Sequence, residues 1–248
     1  SFSRRQRQMC IRDRYYYKNK PQKMLSKSLD TFSTTIGKKL LVAVTGLLVC
    51  LFLVFHLLNN LIIFTGPENF NQLVAALEKI KPLIRVMEFL LLIIFITHIY
   101  NSILLTVNSK KSRSTDYEKF SNKSSSIYSR TMFLSGSILL IFIITHLSTI
   151  WFNFQNIDDH DIYYYFVTES IFGFGNIFIT ILYLVSMFLL GFHLRHGFQS
   201  AFKTLGVENS KFEKLINAVS VLFWFFIPLG FFSIAFWFGI LDGGKWLH

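Results

Sequence analysis

Five histidines stand in or at the ends of long apolar runs: His56, His98, His146, His193 and His196. Ionisable side chains in such a setting are costly and mark functional sites by default. Imidazole has two uses there: carrying protons, or giving a ring nitrogen to a metal. One histidine in a helix bundle commonly serves as a hydrogen-bonded packing residue. Here the first four fall one each on four successive runs, with His196 just beyond His193. His160 and His248 fall outside the runs and need no such account.

The runs themselves are the elements that must position these rings. The chain has 248 residues, 52% hydrophobic and 17% aromatic, with 29 Phe and a mean hydropathy of +0.45. Its apolar residues gather in five blocks at 40–64, 83–107, 131–152, 170–192 and 215–241. About 20 apolar residues make a helix that crosses a ~30 Å hydrocarbon core. Five such blocks leave no soluble face to cover them, so the expectation is an all-α membrane protein with five transmembrane helices in a bundle. Pro228, near the middle of the fifth block, is expected to kink its helix, its freed carbonyl being satisfied by neighbours.

A net charge of +11 first suggests nucleic acid, but its distribution excludes that reading. Of 25 Lys and Arg, 11 lie in residues 1–39, and more lie in the 108–130 and 195–214 connections. The alternate connections hold few, and "NFQNIDDHDIYYYFVTE" (153–169) holds none. This is the positive-inside pattern. It predicts a cytoplasmic N-terminus and an outside C-terminus. Cys10 and Cys50 make no framework and no cluster for iron–sulfur or zinc. Cys50, mid-membrane, reads as a small packing residue. The first 23 residues, which include "MCIRDR", are basic and without apolar periodicity. They resemble translated adapter sequence, which puts the expected native start at Met24. A native basic tail is the other reading. Residues 24–248 form the single transmembrane domain.

Depth sorts the histidines into levels. Counted from the flanking charges, His56 lies ~25 Å beyond Lys39 and His146 ~24 Å beyond Arg130. His98 lies ~18 Å from Lys110 and His193 ~15 Å from Lys203. The outer level thus holds His56 and His146, and the inner level His98 and His193. Two histidines at one depth can clamp a haem iron from both faces. Two levels imply two b-type haems. Copper or zinc would call for a carboxylate or thiolate alongside, and none is present. A proton relay would not require matched pairs. His196 lies one turn closer to the cytoplasm than His193, where it, Arg195 and Lys203 could meet haem propionates. Arg195 and Lys203 could equally be snorkelling.

These residues resemble a known family. "IGKKLLVAVTGLLVCLFLVFHLLNN" is similar to the first helix of the cytochrome b subunit of succinate dehydrogenase and fumarate reductase. "FHLRHGFQSAF" resembles that family's H-x-x-x-G segment, and matches it through His193 and Gly197. The layout is that of the single-subunit, two-haem type found in bacteria, over nearly all of 26–241. The resemblance implies His56 and His146 as axial ligands of the outer haem, and His98 and His193 of the inner. It implies a multi-pass protein of the bacterial inner (cytoplasmic) membrane. It further implies a flavoprotein and an iron–sulfur protein as cytoplasmic partners. This chain would anchor both and pass electrons to a quinone, menaquinone in this type, with the dicarboxylate chemistry on another subunit. Some fumarate reductases carry a glutamate where Gly191 stands, which puts a proton path of that kind in doubt.

Quinone reduction needs a protonatable group near a haem edge. Glu88, the only acid inside a spanning block, is the candidate; paired with Arg85 (i, i+3) it would instead be structural. Glu68 and Asn71 are weaker candidates. Two rival functions stand beside this one: a di-haem cytochrome b serving formate or hydrogen oxidation, and a transporter using its histidines for protons.

Overall fold

The computed structural model describes residues 34–111, 127–157, 159, 161–207 and 212–241. Five helices are long and apolar enough to span a membrane: α1 (Thr35–Thr65), α3 (Lys81–Ser109), α4 (Thr131–Phe154), α6 (Ile177–Thr204) and α7 (Glu213–Gly239). Two short ones, α2 (Pro67–Lys79) and α5 (Tyr163–Glu169), cover one end. No strand occurs among the described residues. The tail of residues 1–23, Met24, Cys10, His160 and His248 lie outside them, as do many of the charges on which the expected orientation rests. The end at which α1 begins is called near below, and the end bearing α2 and α5 far.

Local chemistry sets the helix starts. The Thr34 hydroxyl oxygen accepts from the Gly37 amide at 3.1 Å and caps α1. The Asn176 side chain caps α6, accepting from the Phe178 amide at 3.0 Å. Gly66 takes φ 102°, open to glycine, and Pro67 then opens α2. α6 differs from its apolar block at both ends. The stretch before Ile177 is a turn doubling back on α5, where a Cβ on Gly173 or Gly175 would stand 2.2 or 2.1 Å from the Val167 or Glu169 carbonyl oxygen. At the near end the helix runs past the block's last residue to Thr204, and so carries His193, Arg195 and His196 in regular helix.

The spans pack as two pairs. α3 lies on α1 and α6 lies on α4. The pairs meet where α1 crosses α6, and α7 closes against both. In the most apolar window of each span, 6% of residues are buried for α3 and α4, against 28% for α6 and α7. The outlying faces are apolar; Phe178 is 80% exposed and Phe188 63%. Such faces suit lipid, which satisfies apolar side chains but not backbone groups.

Lipid supplies no hydrophobic drive to hold helices together, so close contact at small residues does. A Cβ on Gly239 would come within 2.3 Å of the fully buried Thr180 side chain. A Cβ on Gly230 would meet Leu57 at 2.8 Å. The expected kink at Pro228 takes a definite form. A π-helical turn, Leu222–Phe226, precedes it and absorbs the missing donor. The carbonyl Pro228 cannot bond is that of Trp224, four residues back. It faces α6, where a Cβ on Gly191 would stand 3.0 Å from it. Gly191 thus has a packing reason to be glycine. Gly239→Ala is expected to cost about 1–3 kcal/mol by overpacking α6 against α7. Unfolding of the purified protein in detergent measures it, and an unchanged midpoint would show that the two helices separate freely.

The far end has its own core. Phe70, Tyr163, Val167, Phe174, Ile234 and Phe238 pack together there, with Tyr163 wholly buried. Asn71 bolts α2 to the segment before α5. Its amide donates to the Asp161 carbonyl at 2.7 Å, and its oxygen accepts from the Tyr164 amide at 2.9 Å. Cys50 is buried among Leu139, Met187 and Leu190, as a packing residue would be.

Candidate functional site

His56 on α1 and His146 on α4 meet toward the far end. Their ring centroids are 5.9 Å apart with planes at 81°. Phe52 stacks on His56 and Phe142 on His146, each one helical turn earlier in its own helix. The backbones of α1 and α4 make no extended contact with each other, so the rings bridge the space between them. Two imidazole–metal bonds of about 2 Å each, with the ring radii added, put bis-ligated ring centroids about 6 Å apart. The pair therefore has the separation of two ligands on one metal.

Hydrogen bonding orients His146. Its Nδ1 lies 2.8 Å from the Tyr183 hydroxyl of α6. A hydrogen bond there holds the ring by Nδ1 and leaves Nε2 free of it. Partners of this kind set the tautomer of metal-binding histidines. The Asn60 amide, 3.4 Å from His56 Nδ1 and donating to the His56 carbonyl at 2.8 Å, stands beside the other ring.

At the near level α1 and α4 each receive a histidine of another helix. His98 of α3 sets its Nδ1 3.2 Å from the Thr45 hydroxyl. His193 of α6 sets its Nδ1 3.4 Å from the Ser135 hydroxyl. A glycine follows each hydroxyl. A Cβ on Gly46 would stand 3.2 Å from His98 Cε1, and one on Gly136 3.6 Å from His193 Cε1. His98 and His193 lie within electrostatic range of each other, and α3 and α6 make no extended backbone contact. Among the described residues one buried side-chain polar atom has no hydrogen-bond partner: the Ser186 hydroxyl, two turns from His193 on α6 and fully buried. Among the described residues no group of three or more His, Cys, Asp or Glu is placed to hold a metal ion. A planar metal cofactor held by two imidazoles needs no such group.

The two levels stand further apart than the count from flanking charges implies. His98 lies beside Thr45, eleven residues before His56 on α1. That is ~16 Å of helix. The Ser135-to-His146 interval on α4 is the same. Flanking charges do not lie in one plane, so distances measured from them compress the true separation.

The remaining candidates fall at the near end or on the far rim. His196, one turn past His193, lies near Lys203. Arg195 stacks over the Trp224 ring of α7 at 4.8 Å. Lys203 lines a pocket of about 210 Å³ with Gln199, Phe202, Glu213, Ile216 and Asn217. Glu88 is held from two sides. Arg85 reaches one of its oxygens at 2.6 Å, and the Trp151 indole donates to the other at 2.8 Å. Arg85 also bonds Gln155 and lies over the Trp151 ring. The cluster clasps α3 to α4 at their far ends. It depends on the π-helical turn Leu147–Trp151, which follows His146 and rotates what lies beyond it. Asn71 serves as the bracket described above, and Glu68 accepts from Gln72 at 3.3 Å.

Sequence reasoning missed Thr45, Ser135, Tyr183 and the two stacked phenylalanines. A signal was there. "TGLLVCLFLVFH" (45–56) and "SGSILLIFIITH" (135–146) share a hydroxyl, a glycine, a phenylalanine and a histidine at identical spacing. α1 and α4 are two versions of one helix, and each carries a hydroxyl–glycine pair on which a histidine of another span rests.

Among the described residues the fold is all-helical, with five helices able to span a membrane, as in a multi-pass membrane protein; His56 and His146 are in ring contact at one level, and His98 and His193 rest on Thr45 and Ser135 at another. Compared with protein-family models, curated proteins and solved structures, the chain shows no match.

Proposed function

We propose that this chain is a di-haem cytochrome b that anchors a succinate:quinone oxidoreductase and passes electrons between its iron–sulfur subunit and a membrane quinone. The observation that carries the haem reading is the His56–His146 pair, at ligand separation and joining two helices whose backbones make no extended contact. His56 and His146 would hold the far haem, and His98 and His193 the near one. Haem, when bound, supplies a one-electron relay whose potential the surroundings set. The chain's own part is to hold four imidazoles at two depths, to keep water out with apolar helices, and to dock partners at its basic end. The assignment to succinate oxidation or fumarate reduction, with menaquinone as acceptor or donor, rests on the likeness of 36–60 and 192–202 to that family. With the basic segments in the cytoplasm, the near end faces the flavoprotein and iron–sulfur subunits of a bacterial inner-membrane complex. At that end His196, Arg195 and Lys203 are the residues that would meet propionates.

Purification of the native assembly tests this. Two haems b per chain, a reduced-minus-oxidised b-type spectrum, and co-purifying flavoprotein and ferredoxin-like subunits are expected. A formate- or hydrogen-oxidising catalytic subunit would move the chain to another dehydrogenase. Absence of any haem band would leave proton-coupled transport.

Glu88 supplies a narrower test. A carboxylate whose two oxygens each accept from a donor, Arg85 on one side and Trp151 on the other, is a bracket between α3 and α4. Glu88→Gln is therefore expected to keep haem content and assembly, and to affect succinate-to-quinone and succinate-to-dye turnover alike. A fall confined to the quinone assay would instead assign proton delivery to Glu88.

A further inference from the structure

Two hydroxyls inside the membrane touch histidine nitrogens in matching ways, and neither is explained by helix packing. Thr45 gives its proton to the Leu41 carbonyl at 2.6 Å. Ser135 gives its proton to the Met132 carbonyl at 3.1 Å. A hydroxyl has one hydrogen to give and lone pairs to receive. In both cases the backbone carbonyl is nearer to the hydroxyl than the ring nitrogen is, which leaves the oxygen to accept from that nitrogen. His98 Nδ1, at 3.2 Å from Thr45, and His193 Nδ1, at 3.4 Å from Ser135, are then the protonated nitrogens. The neutral ring so held has its lone pair on Nε2.

We infer that Thr45 and Ser135 are positioning residues for the near-level metal ligands, each fixing the tautomer and ring angle of one histidine so that Nε2 is the nitrogen offered to iron. The inference rests on the di-haem reading and deepens it. The glycine after each hydroxyl completes the device, because a side chain at Gly46 would press on His98 Cε1 at 3.2 Å. The same two residue types recur in α1 and α4 at the same distance from His56 and His146, so the two halves of the chain solve one positioning problem once each. The Tyr183 hydroxyl stands 2.8 Å from His146 Nδ1, from a different helix.

The test is made on the assembled protein with Thr45→Val, Thr45→Ser and Ser135→Ala. Losing the hydrogen-bond partner behind a metal-binding histidine commonly weakens the site about 10- to 100-fold. Thr45→Val and Ser135→Ala are each expected to weaken near-haem retention about 10- to 100-fold against excess apomyoglobin. Each is also expected to change the low-temperature electron paramagnetic resonance signal of that haem. The far haem, unchanged in the same sample, reports that the bundle is folded. Thr45→Ser, which keeps the hydroxyl, is expected to restore both readouts. Wild-type protein with two haems, and variants with native retention and signal, would overturn the inference alone. Equal loss of both haems in Thr45→Val would also overturn it, by assigning Thr45 to packing. Wild-type protein without haem would overturn the functional reading and this one with it.

Discussion

His56→Ala and His146→Ala are each expected to remove the far haem, lowering haem content by roughly half, while the near haem stays. The two rings stand 5.9 Å apart on helices that make no extended contact. The side chains stacked around them, Phe52, Phe142 and Phe231, donate nothing to a metal. The near pair is ~16 Å away along α1 and rests on different residues, so it has no reason to follow. Pyridine-haemochrome quantitation and a redox titration of each variant read the result. Loss of the far haem from His98→Ala instead, with His56→Ala harmless, would reverse the pairing. Loss of both haems from either variant would mean that the far haem holds α1 and α4 in place, and a lowered unfolding midpoint would accompany it.

His193→Ala is expected to remove the near haem, and His196→Ala to leave both. The two histidines are three residues apart on α6, so they lie on neighbouring faces, ~4.5 Å apart along the axis. Only His193 meets Ser135 and Gly136 of α4 and lies within range of His98. His196 faces Lys203 at the near end, a surrounding suited to an anionic group rather than to iron. A modest change in the near haem's midpoint potential is the expected trace of His196→Ala, through loss of a hydrogen-bonding or cationic neighbour. If His196→Ala abolished the near-haem spectrum and His193→Ala kept it, the ligand assignment would be wrong and the depth argument with it.

Both predictions depend on a pairing that the amino-acid sequence makes partly legible. Apolar run length locates all five spans, because a hydrocarbon layer demands about 20 residues of helix. The edges are less legible. The fourth run starts at Ser170, but the turn around Gly173 and Gly175 delays its helix to Ile177. Its larger departure is at the other end, where regular helix continues to Thr204 through charged residues. Hydropathy reads the membrane core and is blind to a helix that continues into water. The split of the histidines into two levels is also legible, but the distance between levels is not.

The order of the chain determined five apolar spans, the placing of histidines on four of them, and the repeat shared by 45–56 and 135–146. These follow from chain-local quantities: hydropathy summed along a helix, and spacing at about 1.5 Å per residue. Which ring touches which residue is another kind of fact. That His98 rests on Thr45, that Tyr183 of α6 receives His146 of α4, and that Trp151 reaches Glu88 depend on how helices rotate and cross. Those rotations come from contacts at Gly191, Gly230 and Gly239, from the π-helical turns before Pro228 and after His146, and from the far-end core. Only the tertiary structure decides them, because in an apolar medium helices choose their faces by close packing and polar bonds, to which the hydropathy of each span is indifferent.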